Sequence, residues 1–139
     1  MCYQFSKSSI ERMKGVHTDL ITIFSEAIKN SPIDFGIPES GGIRSTGQQN
    51  ILFQQGVSGK CDGIQIKSKH QTGEALDVFA YVNGKASWNK NHLCMIAGVI
   101  LATAKRLKKE GKIQSEIKWG GTFGSDNFQG WDLPHFEIK

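Results

Sequence analysis

The sequence predicts a single α+β domain over residues 1–139, with helices packed on a mainly antiparallel sheet. Helical periodicity dominates the first part of the chain, alternating apolar segments dominate the second half, and one long apolar helix interrupts those segments. The 139 residues, 38% hydrophobic and 22% charged, suffice for one core and are typical of a folded chain. No repeat, linker or low-complexity segment divides them.

The first part of the chain predicts two helices. Apolar residues recur at helical spacing over 17–30, with Thr18 as the expected N-cap. Prolines and a glycine mark 31–40 as irregular or briefly extended, and Gly41-Gly42 as a turn. A short helix is expected to begin after Ser45 or Thr46.

The second part predicts strands around one helix. Segments 64–66, 75–82 and 112–121 and the terminal 135–139 have strand-like patterns, and Asn83-Gly84 is a strong hairpin signal. The longest helix is expected over 90–111, with Gly111 as its stop. Residues 122–134 are expected to form a loop.

Composition limits the class of protein and its location. No apolar run approaches the roughly 18–20 residues needed to cross a membrane, and the N-terminus lacks a secretory signal. The chain is therefore expected to be made in the cytoplasm and to stay there until released. A net charge of +4 favours anionic partners, but no nucleic-acid motif is present. The densest basic run, 105–112, falls at a helix end, where cations complement the helix dipole.

The three cysteines, Cys2, Cys61 and Cys94, are odd in number and far apart. This spacing argues against a disulfide framework and against a CxxC metal or redox site. Any bound metal is therefore expected to have nitrogen and oxygen ligands.

Asp77 is the first candidate functional residue, because it interrupts an apolar strand. A carboxylate buried there is costly unless it is paired or bound to a metal. Gly73 would let the preceding chain fold back and bring His70 over Asp77. The alternative is an edge strand with Asp77 exposed and His70 in an unrelated loop.

The segment "WDLPHFEIK" supplies the second candidate pair. A regular strand would place Asp132 and His135 on opposite faces, but Pro134 prevents regularity, and a bend could bring both into one cavity. The alternative is a loop with a surface aspartate. His17 and His92, at helix starts, are expected to be surface or capping residues.

These groups match the needs of a catalytic zinc site. Such sites commonly use three protein ligands and leave a fourth position to water, while a carboxylate that does not bind the metal removes the proton of that water. Zinc lowers the pKa of the water from about 15.7 to roughly 7 and polarises the scissile carbonyl.

Two longer motifs resemble those of the zinc D,D-carboxypeptidase and L-alanyl-D-glutamate peptidase superfamily. "SKHQTGEALD" resembles its S-x-H-x-x-G-x-A-x-D motif and "DLPHFE" its D-x-P-H-F-E motif. "GGIRSTGQQ" is similar to its arginine-bearing turn, and "WGG" at 119–121 matches a further landmark. The order and spacing agree from about His17 onward, which implies the D,D-peptidase-like (Hedgehog-like) fold.

The resemblance implies a role for each matched residue. His70, Asp77 and His135 would bind one Zn²⁺ per chain, and Asp132 would be the general base. Arg44 would hold a substrate carboxylate or the developing oxyanion; the alternative is a solvated turn arginine. Ser68 would position substrate or brace the site, and Glu137 would brace a histidine or lie at the surface.

The chain departs from the family pattern after Gly121. The superfamily often continues with an acidic residue and a tryptophan, whereas this chain has Thr122 and Phe123 and an insert before Trp131. Substrate contacts of relatives are therefore not carried over to this segment, and Asp126 is an alternative acid ranked below Asp132.

The implied function is that of a compact phage endolysin that hydrolyses the L-alanyl-D-glutamate bond of the peptidoglycan stem peptide. It would act as a monomer and reach the wall after holin-type pores open the membrane. The alternative enzyme is a D-alanyl-D-alanine carboxypeptidase or dipeptidase of the same fold. A non-catalytic domain binding wall polymer or nucleic acid is a third reading, disfavoured by the intact set of candidate catalytic groups.

Overall fold

The computed structural model describes residues 2–124 and 130–139. The four helices of the described chain are α1 (Lys7–Arg12), α2 (Thr18–Asn30), α3 (Thr46–Gln54) and α4 (Lys90–Lys109). The six strands there are β1 (Asp34–Gly36), β2 (Ala75–Asp77), β3 (Phe79–Val82), β4 (Lys85–Ser87), β5 (Ile117–Trp119) and β6 (His135–Ile138). Two short 3₁₀ turns, Lys69–Thr72 and Gly120–Thr122, complete the elements.

The strands form two antiparallel sheets of three strands each. The first sheet has the order β1-β3-β4 and the second the order β2-β6-β5. The expected α+β class is confirmed, with two small sheets where the sequence suggested one. The second sheet matters for function, because β2 ends at Asp77 and β6 begins at His135, and these two residues are register partners.

Helices α2 and α4 contact each other and cover the core. The apolar face of α4 buries Leu93, Ile96, Ile100 and Leu107, whose spacing of three, four and seven residues is that of one helix face. Phe24 of α2 packs edge-to-face on Phe136 of β6, with 5.5 Å between ring centroids. This contact fixes the second sheet against the helices from its buried side.

The predicted strand 75–82 is divided between the two sheets at Val78. The Val78 N–H donates to the Pro134 carbonyl, and the Asp77 N–H donates to the Gly41 carbonyl. These two hydrogen bonds interrupt the regular pairing between strands, so that β2 and β3 belong to different sheets. The hairpin signal itself is confirmed: Asn83 and Gly84 have φ angles of 54° and 77° and connect β3 to β4.

The prediction of a strand at 64–66 is wrong. One carboxylate oxygen of Asp62 accepts hydrogen bonds from the N–H groups of Ile64, Gln65 and Ile66, at 2.9, 2.9 and 3.0 Å. The side chain therefore captures the donors that a strand ladder would need. Ile64 and Ile66 are consequently exposed rather than alternating with a core.

The N-terminal helices differ from expectation in two details. Thr18 is not the N-cap of α2; His17 is, with its Nδ1 accepting from the Asp19 N–H at 3.0 Å. Helix α1 was not predicted, because its six residues are too few for a clear period. Its signal is the capping serine Ser6, whose hydroxyl accepts from the Ser9 N–H at 3.2 Å.

Asp19 connects α2 to the chain before β5, and we expect Asp19→Ala to lower the free energy of unfolding by about 1–2 kcal/mol at pH 7. Its Oδ2 accepts from Gln114 N, Ser115 N and Ser115 Oγ at 3.1, 3.0 and 2.7 Å. Chemical denaturation measures the loss. Glu26→Ala is the control on the same helix, since its exposed pair with Lys29 should contribute under about 0.5 kcal/mol.

The effect of Asp19 should depend on pH. Burial opposes ionisation, but the hydrogen bonds from Ser115 and Gln114 outweigh it and lower the pKa of Asp19 below its ordinary 3.8. The stabilisation is therefore complete above the unfolded pKa and is lost as the pH falls through the lower folded pKa. A difference between wild type and Asp19→Ala that does not shrink at acid pH would contradict this account.

Within residues 2–124 and 130–139, no helix has the length and apolar character needed to cross a bilayer.

Candidate metal centre and active site

Three side-chain atoms from three parts of the chain converge at one point. His70 Nε2 lies 3.2 Å from Asp77 Oδ1, His135 Nδ1 lies 3.1 Å from the same oxygen, and the two nitrogens are 3.3 Å apart. His70 and His135 are 2% and 7% exposed. The structure thus brings together the residues that the sequence separates by 65 positions, and they form a group that could hold a metal ion.

The outer nitrogen of each imidazole is held by an acceptor. His70 Nδ1 is 2.9 Å from the Gly42 carbonyl oxygen, and His135 Nε2 is 2.8 Å from Glu137 Oε1. A carbonyl or carboxylate can only accept, so each outer nitrogen carries the proton and each inner nitrogen of a neutral ring presents its lone pair. With both rings neutral, two lone pairs and a carboxylate oxygen face one another, which is an arrangement that a cation satisfies.

The size of this triangle matches tetrahedral zinc. Ligand bonds of about 2.0–2.1 Å at tetrahedral angles place ligand atoms about 3.3–3.4 Å apart. The three separations are 3.1–3.3 Å. The donor set is also the nitrogen and oxygen set expected from the cysteine spacing. The residues present therefore fit a catalytic zinc ion with three protein ligands.

The second oxygen of Asp77 is bound by Arg44. The Arg44 Nη2 donates to Asp77 Oδ2 at 3.0 Å, while Nη1 donates to Gln49 Oε1 at 3.0 Å and Nε to the Ser40 carbonyl at 2.7 Å. With its side chain 11% exposed, Arg44 is not a solvated turn residue. Three of its five N–H groups are used on the protein, which leaves two for a substrate.

The charges around the centre shift the protonation of its members. Burial opposes ionisation of Asp77, but the positive charge that His70 and His135 can carry holds its pKa far below the ordinary range. Burial also opposes charge on His135, yet the hydrogen bonds to Asp77 and Glu137 raise its pKa to about 9. The surroundings of His135 thus favour positive charge, whether from a proton or from a metal ion.

A short turn places His70. The Ser68 hydroxyl accepts from the His70 N–H at 3.2 Å, and Ser68 is 8% exposed at the edge of the cleft. Gly73 ends the turn with a φ of 76°, and a Cβ there would lie 2.7 Å from the Gly15 carbonyl oxygen. Gly73 is therefore required both for the left-handed conformation and for close packing.

A bend at Pro134 places Asp132 beside His135, as the proline suggested. The His135 N–H donates to the Asp132 carbonyl at 3.1 Å, and Asp132 Oδ2 is 3.9 Å from His135 Nδ1. Asp132 lies outside the three-atom group but close to it. Burial and the charge of Asp77 raise its pKa, which moves it toward the range of an effective general base.

Two supporting residues were missed from the sequence. Gly120, part of the "WGG" landmark, packs so closely that a Cβ would lie 1.9 Å from the Asp132 carbonyl oxygen. Gln49 is fully buried and links Arg44 to the Cys61 carbonyl at 2.9 Å. Each acts through a contact with a residue distant in sequence, so no local pattern indicates its role.

A cleft of about 630 Å³ opens over the centre. Three aromatic side chains, Trp88, Phe123 and Trp131, line it beside the candidate ligands, and Trp88 and Trp131 are more than half exposed. The alternative acid Asp126 lies outside the described residues. His17 caps α2, and His92 Nδ1 lies 2.7 Å from Ser87 Oγ, so both remain apart from the centre.

The fold and the site together define a peptidase with a candidate metal centre, and comparison with known proteins agrees. The family model of the phage L-alanyl-D-glutamate peptidase matches residues 1–138, and the chain belongs to this family. The L-alanyl-D-glutamate peptidase of Escherichia phage T5 is 37% identical over 139 residues, covering 100% of this chain and 91% of that protein.

A solved structure shows the same architecture. The crystal structure of the Serratia marcescens L-Ala D-Glu endopeptidase ChiX matches with a TM-score of 0.77 and 28% identity, over 99% of this chain and 90% of that one. The resemblance inferred from the two motifs is therefore confirmed at the level of family and of fold.

Proposed function

We propose that this chain is a zinc-dependent endopeptidase that hydrolyses the L-alanyl-D-glutamate bond of the peptidoglycan stem peptide during phage-driven lysis. The convergence of His70 Nε2, Asp77 Oδ1 and His135 Nδ1 within 3.3 Å of one another carries the proposal. The bond is taken from the family to which the chain belongs. Residues 1–139 would form one catalytic domain with one zinc ion.

In this proposal each side chain has a distinct task. When bound, zinc acidifies a water molecule and polarises the scissile carbonyl. Asp132 removes the proton of the attacking water and later delivers it to the leaving amine. Arg44 lines the cleft and holds Asp77 in place, and its two remaining N–H groups would be available to the charge that develops on the substrate. The Ser68 hydroxyl holds His70 in place by accepting a hydrogen bond from the backbone N–H of His70.

Location and assembly follow from the same proposal. The enzyme would be made in the host cytoplasm, act as a monomer and reach the wall after holin-type release. Size-exclusion chromatography with light scattering tests the monomer, and fractionation of infected cells before and after lysis tests the location.

Digestion of purified peptidoglycan, with products identified by mass spectrometry, tests the reaction. We expect new N-terminal D-glutamate, and we expect a chelator to abolish it. Release of D-alanine instead would assign the chain to the carboxypeptidase alternative. Activity that survives complete removal of metal would remove zinc from the proposal.

Glu137 provides a prediction about metal affinity. Because it accepts from His135 Nε2 at 2.8 Å, Glu137→Ala should weaken zinc binding by roughly 10–100-fold. The zinc affinity of Glu137→Gln, which keeps an acceptor but no charge, should lie between those of the wild type and Glu137→Ala. Competition with a fluorescent chelator measures the affinity. Glu116→Ala, an exposed acid on the chain before β5, is the control, and an equal loss there would show that the effect is not local.

A further inference from the structure

The substrate of the proposed reaction carries a negative charge close to the scissile bond. A glutamyl residue inside a peptide uses one carboxyl group for the chain and keeps the other free. In an L-alanyl-D-glutamate bond, that free carboxylate lies only a few bonds from the nitrogen that leaves. A site selective for this bond therefore needs a cation on the leaving-group side of the cleft.

Most charges in the cleft are already paired. Four cations line its described part, and two of them are engaged: Arg44 with Asp77, and Lys69 with Glu137 at 3.5 Å and with the Ile138 carbonyl. Within residues 2–124 and 130–139, Lys60 and Lys67 have no carboxylate at ion-pair distance. Among the described residues, these two lysines are the cleft cations whose charge is not already paired with a carboxylate.

Lys67 differs from Lys60 in being held in place. Its Nζ donates to the Gly63 carbonyl at 2.9 Å, and the same carbonyl accepts from Gln71 Nε2 at 3.0 Å. Gln71 belongs to the turn that carries His70, and its Oε1 accepts from the Ser68 N–H at 2.8 Å. The Lys67 ammonium is thus anchored to the turn that positions a candidate metal ligand.

This anchoring leaves capacity for a ligand. An ammonium has three N–H donors, and the Gly63 carbonyl occupies one of them, so two remain for an incoming carboxylate. Holding the ammonium before binding also reduces the side-chain entropy that an unrestrained lysine would lose. Lys60 and Lys67 are both exposed, but Lys60 has no such anchor among the described residues.

We propose that Lys67 binds the free carboxylate of the D-glutamate residue and makes the enzyme selective for the acidic stem peptide over its amidated form. The inference rests on the proposed function, which supplies the carboxylate. It adds a carboxylate subsite to the proposed function. It also assigns the binding of the substrate carboxylate to Lys67 rather than to Arg44, which is paired with Asp77.

The test compares two synthetic peptides that differ only in this group, one with the free carboxylate and one with the corresponding amide. We expect the wild type to cleave the acid with a kcat/KM roughly tenfold or more above that of the amide. Lys67→Met should abolish this preference by slowing cleavage of the acid to the rate of the amide in the same variant. Lys67→Arg should retain part of the preference.

Lys60→Met is the matched control, because it removes the same charge from the same cleft. It should keep the preference for the acid; an equal loss in both variants would assign the effect to general cleft charge and overturn the subsite. A wild type that cleaves both peptides equally at the alanyl bond would overturn the inference but leave the proposed function standing. Failure to cleave either peptide at that bond would overturn both.

Discussion

Asp132→Asn should bind one zinc ion per chain as the wild type does, yet hydrolyse peptidoglycan roughly 10²–10⁴-fold more slowly. Asp132 Oδ2 lies 3.9 Å from His135 Nδ1 and outside the group of three converging atoms, so its loss leaves that group complete. Asparagine has nearly the same shape but cannot take a proton from water. Metal content by mass spectrometry and release of N-terminal D-glutamate measure the two properties separately.

Asp126→Asn is the control for this experiment, since Asp126 is the other acid of the segment that could serve as a base. It should lyse cell walls at close to the wild-type rate. If Asp132→Asn retained near-normal lysis, Asp132 would be removed from the role of base, and slow turnover in Asp126→Asn would then assign the role to Asp126.

His70→Ala should lose both zinc and turnover. The substitution removes one of three ligands and also the ring whose Nδ1 contacts the Gly42 carbonyl at 2.9 Å. Asp77 and His135 would remain facing each other with two donor atoms instead of three. Because bound metal stabilises the folded state, we also expect the thermal midpoint of His70→Ala to no longer rise when zinc is added.

His92→Ala provides the matched histidine control. His92 contacts Ser87 at the start of α4 and takes no part in the centre, so this variant should retain zinc, turnover and the zinc-dependent rise in thermal midpoint. A His70→Ala protein that keeps stoichiometric zinc and normal activity would show that the ion binds elsewhere.

Much of the candidate site was predictable because two short segments contain most of it. Because a buried carboxylate is costly without a partner, Asp77 within an apolar strand indicated a compensating positive charge nearby. Gly73 indicated the turn that brings His70 back to Asp77. Pro134 indicated the bend between Asp132 and His135. The structure places the four candidate site residues of these segments, His70, Asp77, Asp132 and His135, at one cleft, while their roles stay predictions until the variants are measured.

Other features were not predictable, because they depend on partners distant in sequence. The pattern Ile64-x-Ile66 has the period of a strand, but a single carboxylate, Asp62, takes the three N–H groups concerned. The apolar run from Ala75 looked continuous, but the carbonyl of Pro134 binds the Val78 N–H and divides the run between two sheets.

Arg44 and Lys67 show the same limit at the site itself. The motif resemblance indicated that Arg44 is functional, but a motif does not show which donors are already used. Only the folded chain brings Asp77 and Gln49 against the guanidinium and leaves Lys67 without a carboxylate among the described residues. The distribution of free charge in a cleft depends on pairings that spacing along the chain does not encode.

The sequence by itself determined the α+β class, the family and the identity of the candidate ligands, because periodicity and motif spacing are local properties. The tertiary structure alone decided that three donor atoms meet within 3.3 Å, with an acceptor behind each histidine and Arg44 behind Asp77. The physical reason is that β2 and β6 pair antiparallel with Asp77 opposite His135. That register places Leu76 opposite Phe136 in the common core, and a shift of one residue in either strand would send its ligand to the other face, away from the partner ligand.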